Sequence, residues 1–216
     1  MDLRLRAGEM ETSYWTVLSD VMTSMFFLVV LYVLGQHIKT FAESAINERL
    51  AARQREISIA LQTDIPSTFR NKVTIDSIAP DRQKLTFNSD VLFGVCRAEL
   101  TDDGKALLVA VVKAIGPRQR YLEAIDVVGH TDRVPTGNYG CHYATNWELS
   151  SARATSVVRL MRDSSSVSGS KLAAIGRAEF HPVSGNTGSD PASYAKNRRI
   201  EIILQYDRRD VYRLLA

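Results

Sequence analysis

Residues 122–154 read LEAIDVVGHTDRVPTGNYGCHYATNWELSSARA, and this stretch decides the fold. Residues 122–128 are rich in apolar and β-branched side chains, which predicts a strand. The polar run 129–132 follows directly, and residues 149–161 carry apolar side chains at helical spacing, which predicts a helix. Polar residues therefore gather where a strand ends and a helix begins, positions that often hold binding groups.

The flanking sequence predicts the other elements of the domain. The predicted elements are strands at 72–78 and 83–89, a helix from Thr101 to Ile115, and strands at 172–175 and 199–206. Thr101 is the expected N-cap of its helix, and Gly116-Pro117 ends it. We therefore expect an α+β domain, residues 66–216, in which two main helices cover one face of a mixed sheet.

Three motifs in order resemble the OmpA-like peptidoglycan-binding family. They are GHTD at 129–132, N-x-x-L-S-x-x-R-A at 146–154 and NRRIEI at 197–202. The resemblance implies an OmpA-like domain whose ligand is the free end of the peptidoglycan stem peptide. That end carries diaminopimelate, which bears an ammonium and carboxylates.

The resemblance and the charges indicate the same two ligand residues. Asp132 can accept a hydrogen bond from the ammonium, and Arg153 can form a bidentate pair with a carboxylate. The residues expected to complete the pocket are Thr131, Asn146, Leu149 and Arg198. The alternative for Asp132 and Arg153 is a structural salt bridge to each other. We expect His130 to be a packed, hydrogen-bonded loop residue rather than a binding residue.

A catalytic interpretation rests on Ser150 and Ser151, which lie near His130 and Asp132 in the pattern. Neither serine has a Gly-x-Ser-x-Gly setting, and helix capping explains Ser150 without catalysis. We therefore expect neither enzyme activity nor a cofactor. The net charge of +3 is spread along the chain, which does not indicate direct nucleic-acid binding.

Two cysteines, Cys96 and Cys141, lack the spacing of a zinc site, so no metal is expected. The resemblance implies that the loop carrying Cys96 borders the same site as the loop carrying Cys141. Outside the cytoplasm a disulfide could hold these loops together. An intramolecular bond is the preferred hypothesis, and free thiols or a bridge between subunits stay open.

Residues 14–38 read YWTVLSDVMTSMFFLVVLYVLGQHI and predict a transmembrane helix, with 1–13 as a cytoplasmic N-terminus. About 20 apolar residues suffice to span a bilayer. Aromatic residues near both ends suit the interfaces. A cleaved signal peptide is the alternative, but its apolar region would be shorter and would end at a small-residue cleavage site.

Asp20 is the formally charged residue of this span. A carboxylate inside a bilayer costs at least ~2.5 kcal/mol and commonly marks an ion or proton path. Thr16, Thr23 and Ser24 share its helical face and are the expected neighbours on that path. One span cannot enclose a path, so a multi-span partner is implied. The alternative is that Asp20 lies shallow enough to reach the headgroups.

Residues 39–65 predict a helical connector with apolar residues at Ile46, Leu50, Ile57 and Leu61. This stripe suits either a two-stranded coiled coil in a homodimer or a helix that lies along its own domain.

Together the span and the domain resemble the MotB-like stator subunits. The resemblance implies a homodimer in the bacterial inner membrane, with its C-terminal domain in the periplasm and a MotA-like multi-span partner. Asp20 would carry transported H⁺ or Na⁺. The short N-terminus and short connector favour the MotB-like subunit of the Zorya anti-phage system over a flagellar stator. A passive tether between membrane and wall stays open as an alternative. Asp20 distinguishes the two, because a tether gives it no role.

Overall fold

The computed structural model describes residues 3–164, 166–183 and 190–213. The chain divides into two compact units, Met1–Ile46 and Asn47–Ala216. Helix α1, Leu3–Asp64, contributes to both units. The second unit therefore begins inside the segment that the sequence analysis assigned to the connector.

The first unit contains the apolar part of α1. This helix is long and apolar enough to cross a membrane, with a mean hydropathy of 2.1 in its most apolar window, and none of that window is buried. Large side chains such as Phe26 and Leu28 are exposed. A surface of this kind suits lipid or a protein partner, because water would leave the apolar groups unfavourably solvated.

The second unit is built on a five-stranded mixed sheet, as the sequence predicts. The strands are β1, Val73–Ala79; β2, Arg82–Asn88; β3, Leu122–His130; β4, Leu172–Gly176; and β5, Arg199–Tyr206. Their order is β1-β2-β5-β3-β4. β3 and β4 are parallel, whereas β1 with β2, β2 with β5, and β3 with β5 are antiparallel.

Helices complete the unit. The α-helices are α2, Ser89–Leu92; α3, Asp102–Ile115; α4, Asn146–Asp163; α5, Pro191–Asn197; and α6, Arg208–Arg213. Short 3₁₀ segments cover Ser67–Lys72, Gly116–Tyr121, Thr136–Tyr139 and Gly169–Lys171. The Thr101 hydroxyl accepts from the backbone N–H of Gly104 at 3.0 Å, which confirms the predicted N-cap of α3.

The expected capping role of Ser150 is wrong. Helix α4 begins at Asn146, three residues before the predicted start, and its N-cap is Thr145, whose hydroxyl accepts from the N–H of Glu148. Thr145 satisfies a free N–H of the first turn, which is the role of an N-cap. Since the helix begins at Asn146, Ser150 lies inside the helix and does not cap it. Its hydroxyl donates to the carbonyl of Trp147 and accepts from the N–H of Ala178.

The part of α1 that belongs to the second unit, residues 47–64, packs on the same sheet face as α4. Leu50, Ile57 and Leu61 are fully buried. Gln83 of β2 donates to the Ser58 hydroxyl at 2.7 Å, and its side chain shares a sheet face with buried residues of β2 and β5. Of the two connector alternatives, the second unit shows the helix that lies along its own domain.

Candidate functional site

All six residues expected to bind peptidoglycan line one cleft of about 190 Å³ in the second unit. They are Thr131, Asp132, Asn146, Leu149, Arg153 and Arg198. The cleft also includes both cysteines and four residues that the sequence analysis did not assign: Asp90, Val95, Val134 and Thr136. Clefts for drug-sized ligands measure ~300–1,000 Å³, so this one suits the end of a peptide.

Two paired glycines bring α4 against the ends of β3 and β4. Gly129 and Gly176 are register partners on the two parallel strands. A Cβ on Gly129 would collide with the backbone carbonyl of Ser150, and one on Gly176 would collide with the hydroxyl of Ser151. The missing side chains allow the close approach, which places the residues after β3 beside the first turns of α4. The sequence analysis missed this steric role.

The Asp132 carboxylate is buried and held on two sides. Its Oδ1 accepts from the backbone N–H of Val134 at 3.0 Å, and its Oδ2 accepts from Nη1 of Arg198 at 2.9 Å. The ion partner of Asp132 is therefore Arg198, and the alternative salt bridge to Arg153 is not the observed pairing. Each carboxylate oxygen has a second acceptor position, which leaves capacity for an ammonium.

The Arg153 guanidinium is buried and anchored by backbone oxygens. Nε donates to the carbonyl of Arg97 at 2.9 Å, and Nη2 donates to the carbonyl of Gly94 at 3.2 Å. The group also lies 5.3 Å from the ring centroid of Phe93. Burial lowers the pKa of Arg153 to about 10, so the group is charged at neutral pH. A guanidinium has five N–H donors, and those not bound to carbonyls can meet a carboxylate.

Arg198 bridges two carboxylates. Its Nε and Nη2 donate to Asp90 at 3.0 and 2.6 Å, while Nη1 reaches Asp132. The hydrogen bonds to Asp90 are the largest cause of the raised pKa of Arg198. Asp90 is the charged site residue that the sequence analysis missed, because the sequence around it carries none of the family motifs. Its N–H is held by the side chain of Asn88 at 2.8 Å.

The remaining predicted residues shape the cleft. Asn146 donates through Nδ2 to the carbonyls of Asp132 and Val134, at 3.3 and 3.2 Å, which fixes the turn after β3. The Thr131 hydroxyl is buried without a hydrogen-bond partner among the described residues. A buried polar atom in this state is available to a ligand. Leu149 supplies a buried apolar wall.

The cleft balances its charges. It holds two carboxylates and two guanidiniums, those of Asp90, Asp132, Arg153 and Arg198. A ligand that bears both an ammonium and carboxylates can meet opposite charges without leaving a net charge in a half-enclosed site. The apolar side chains of Val95, Val134 and Leu149 suit a methylene chain between those charges.

Cys96 and Cys141 form a disulfide within the chain, with their Cα atoms 5.2 Å apart. The bond joins the loop before α3 to the loop between β3 and α4. Both cysteines line the cleft. The structure therefore matches the preferred intramolecular alternative.

His130 belongs to a separate polar cluster. It is buried at the end of β3, with Nε2 3.6 Å from the Glu201 carboxylate. Burial is the main cause that lowers the pKa of His130. Burial would raise the pKa of Glu201, but hydrogen bonds from His130 and Arg199 outweigh it and lower that pKa to about 2. His130 is not among the described residues that line the cleft, consistent with a packing role.

Asp20 lies in the other unit, on α1. It is exposed, as are Thr16, Thr23 and Ser24. The Thr23 hydroxyl donates to the carbonyl of Ser19 at 2.7 Å, a bond within the helix. The ion-path assignment of these four residues stays a prediction.

Residues 92–198 match the model of the OmpA family. Uncharacterized protein YtxE of Bacillus subtilis is 31% identical over 123 residues, 56% of this chain and 47% of that protein. Motility protein B of the same organism is 32% identical over 80 residues, 37% of this chain and 29% of that protein. The chain thus spans less than half the length of these two relatives.

Solved structures share the fold. A MotB-like protein from Desulfovibrio vulgaris has a TM-score of 0.66 at 23% identity, covering 77% of this chain and 99% of that one. The periplasmic domain of Helicobacter pylori MotB has a TM-score of 0.58 at 20% identity, covering 70% and 90%. The cell wall anchor of the T6SS from Pseudomonas aeruginosa has a TM-score of 0.57 at 29% identity, covering 70% and 97%.

Proposed function

We propose that this chain, whose second unit is an OmpA-like domain with MotB-like structural neighbours, anchors a membrane complex to peptidoglycan. An apolar N-terminal helix followed by a domain of this type fits a membrane-anchored protein with a periplasmic C-terminal domain. The inner membrane is the proposed location. The observation that carries the proposal is the charge-balanced cleft, which gathers all six residues expected from the sequence.

In this proposal the cleft binds the diaminopimelate end of a stem peptide. The ammonium donates to Asp132, which keeps its bond to Arg198. A carboxylate accepts from the free N–H groups of Arg153, and the Thr131 hydroxyl takes a further hydrogen bond. Because both charged residues are buried, removing one of them would leave its ligand group desolvated and unpaired. The domain acts as an anchor and has no proposed catalytic step.

We further propose that the complex is an ion-driven motor. Asp20 carries H⁺ or Na⁺, and a MotA-like multi-span partner supplies the helices that shield it from lipid. Two copies of this chain form the anchored core. The support is chemical: an ionisable group within an apolar helix is costly unless it faces water or protein.

The defence system Zorya is the preferred setting, and a flagellar-type stator is the alternative. The preference rests on length. In the sequence a short connector, residues 39–65, separates the apolar span from the folded domain.

A passive tether is the second candidate function. The similarity to the cell wall anchor of the T6SS, at 29% identity, favours it. A tether explains the cleft completely but gives Asp20 no role.

The separating experiment is Asp20→Asn in cells that carry the genes for the partner subunits. Asparagine keeps the size and polarity of aspartate but cannot gain or lose the proton. We expect assembly with the multi-span partner and retention on peptidoglycan to persist, while phage protection or swimming is lost. The measurements are copurification, a wall pull-down and the cellular assay.

Asp20→Glu is the matched control, because its carboxylate still titrates, and it should retain part of the activity. Full activity of Asp20→Asn would leave the tether as the function. Removing a charge from the bilayer does not harm a tether, because it makes insertion of the helix more favourable.

A further inference from the structure

A single tight turn orients the Arg153 guanidinium. The two carbonyls that accept from Arg153 belong to Gly94 and Arg97, the first and last residues of that turn. The turn is closed by the N–H of Arg97, which donates to the carbonyl of Gly94 at 3.1 Å. The direction of the guanidinium therefore depends on the conformation of four residues that precede α3.

This turn has a backbone conformation that its sequence disfavours. Cys96 has a φ of 55°, in the left-handed region. A residue with a Cβ is strained there relative to right-handed backbone. Surrounding structure must hold such a residue in place. The bond from Cys96 to Cys141 is the covalent constraint at that position.

The other end of the disulfide is fixed to the helix that carries Arg153. The N–H of Cys141 donates to the carbonyl of the buried Thr136 at 3.5 Å, and the Thr136 hydroxyl donates to the carbonyl of Ala144 at 3.0 Å. The N–H of Ala144 donates to the Glu148 carboxylate, in the first turn of α4, at 2.8 Å. The disulfide thus couples the turn that orients Arg153 to the start of α4.

We propose that the Cys96–Cys141 disulfide is a positioning element for carboxylate recognition, which holds the Gly94–Arg97 turn so that its carbonyls aim Arg153 at the ligand. This inference rests on the proposed function of the cleft. Without the bond, Cys96 relaxes out of the left-handed region and the carbonyls move. A buried guanidinium then loses the acceptors that fix its remaining N–H groups, and a planar carboxylate can no longer be met by two parallel hydrogen bonds.

The test compares the full chain in detergent with its Cys96→Ser/Cys141→Ser variant. The probes are a synthetic stem tripeptide ending in meso-diaminopimelate and the same peptide with its terminal carboxylates converted to carboxamides. Isothermal titration calorimetry measures both affinities. We expect the wild type to prefer the carboxylate peptide. The variant should bind that peptide about tenfold more weakly, a change of ~1.4 kcal/mol, and bind the carboxamide peptide with little change.

The ratio of the two affinities separates positioning from general support. An equal loss for both peptides, or no loss for either, would overturn the inference while leaving the proposed function intact. Failure of the wild type to bind the carboxylate peptide would overturn the proposed function and the inference with it.

A second measurement covers a variant that does not fold. Wild-type protein is reduced with a water-soluble phosphine, which converts the S–S bond to two thiols while the phosphine becomes its oxide with oxygen from water. The same fall in the affinity ratio is expected. In an Arg153→Gln background, reduction should leave the ratio unchanged, and a further fall there would contradict a role through Arg153.

Discussion

Two aspartates, one in each unit, show how differently the two regions of this chain use a carboxylate. Asp132 is 3% exposed and is bound by Arg198 and by the N–H of Val134. Asp20 is exposed on an apolar helix. The domain supplies the ion pair and the hydrogen bond that its buried carboxylate requires. The carboxylate of Asp20 has to be solvated by water or paired by another protein, and the motor proposal therefore requires a partner.

The glycines repeat the contrast. Gly35, in the apolar part of α1, has nothing within 4 Å of a Cβ placed on it, whereas Gly129 has the backbone of Ser150 in that space. A methyl group at this position therefore has open space around it beyond the backbone of its own helix turn. In the second unit a single methyl group meets packed backbone.

The largest effect expected within the domain is on ligand binding. Asp132→Ala and Arg153→Ala should each weaken binding to diaminopimelate-containing peptidoglycan by ~2–5 kcal/mol, because truncating one partner of a desolvated charge contact leaves the other unpaired. A wall pull-down of the full chain measures the loss.

Arg162→Ala is the matched control for Arg153→Ala. Arg162 lies on the same helix, is exposed and pairs with Asp163. Its substitution should leave wall binding unchanged. Wild-type retention of the Asp132 and Arg153 variants would refute the site and remove the contrast between the two aspartates.

The next effect is steric and compares two glycines. Gly129→Ala should lower the free energy of unfolding of the domain by about 3 kcal/mol, because the new methyl group overpacks the contact between β3 and α4. Gly35→Ala should leave domain stability unchanged and favour its own helix by up to ~1 kcal/mol. Denaturant unfolding followed by Trp147 fluorescence in a Trp15→Phe background measures the stability of the domain in both variants. Equal stabilities would show that α4 can shift away from β3.

The smallest effect is a pH dependence that belongs to the domain alone. The pKa of Glu201 is about 2 in the fold, below its ordinary 4.5. Its stabilisation is therefore complete above pH 4.5 and is lost as pH falls toward 2, at most roughly 3 kcal/mol. The pKa of His130 is also lowered, by burial first. Protonation of His130 is therefore less favourable in the fold than in the unfolded chain, and the stability of the domain also falls as pH drops below 6.5.

Melting temperatures between pH 7 and pH 2.5 test this dependence. Glu201→Gln should remove most of the decline below pH 4.5. Asp163→Asn, which changes an exposed ion pair, should retain that decline. A decline that survives Glu201→Gln would place the acid-sensitive group elsewhere in the domain.

Local patterns in the sequence determined much of this protein. The apolar span, the strands and the Thr101 cap follow from periodicity and from capping chemistry within a few residues. The six expected cleft residues followed from short motifs whose order the fold preserves. These features depend on neighbours along the chain, and the sequence displays such neighbours directly.

Only the tertiary structure decided which groups meet. Asp90 pairs with Arg198 across 108 positions, and the start of α4 rests on Gly129 and Gly176. Ser150 was misjudged as a cap, whereas its hydroxyl accepts from the N–H of Ala178, 28 positions away. Residues 47–64 of α1 joined the domain through buried contacts with distant strands. Such contacts depend on how the elements pack, and no local pattern of residues encodes that packing.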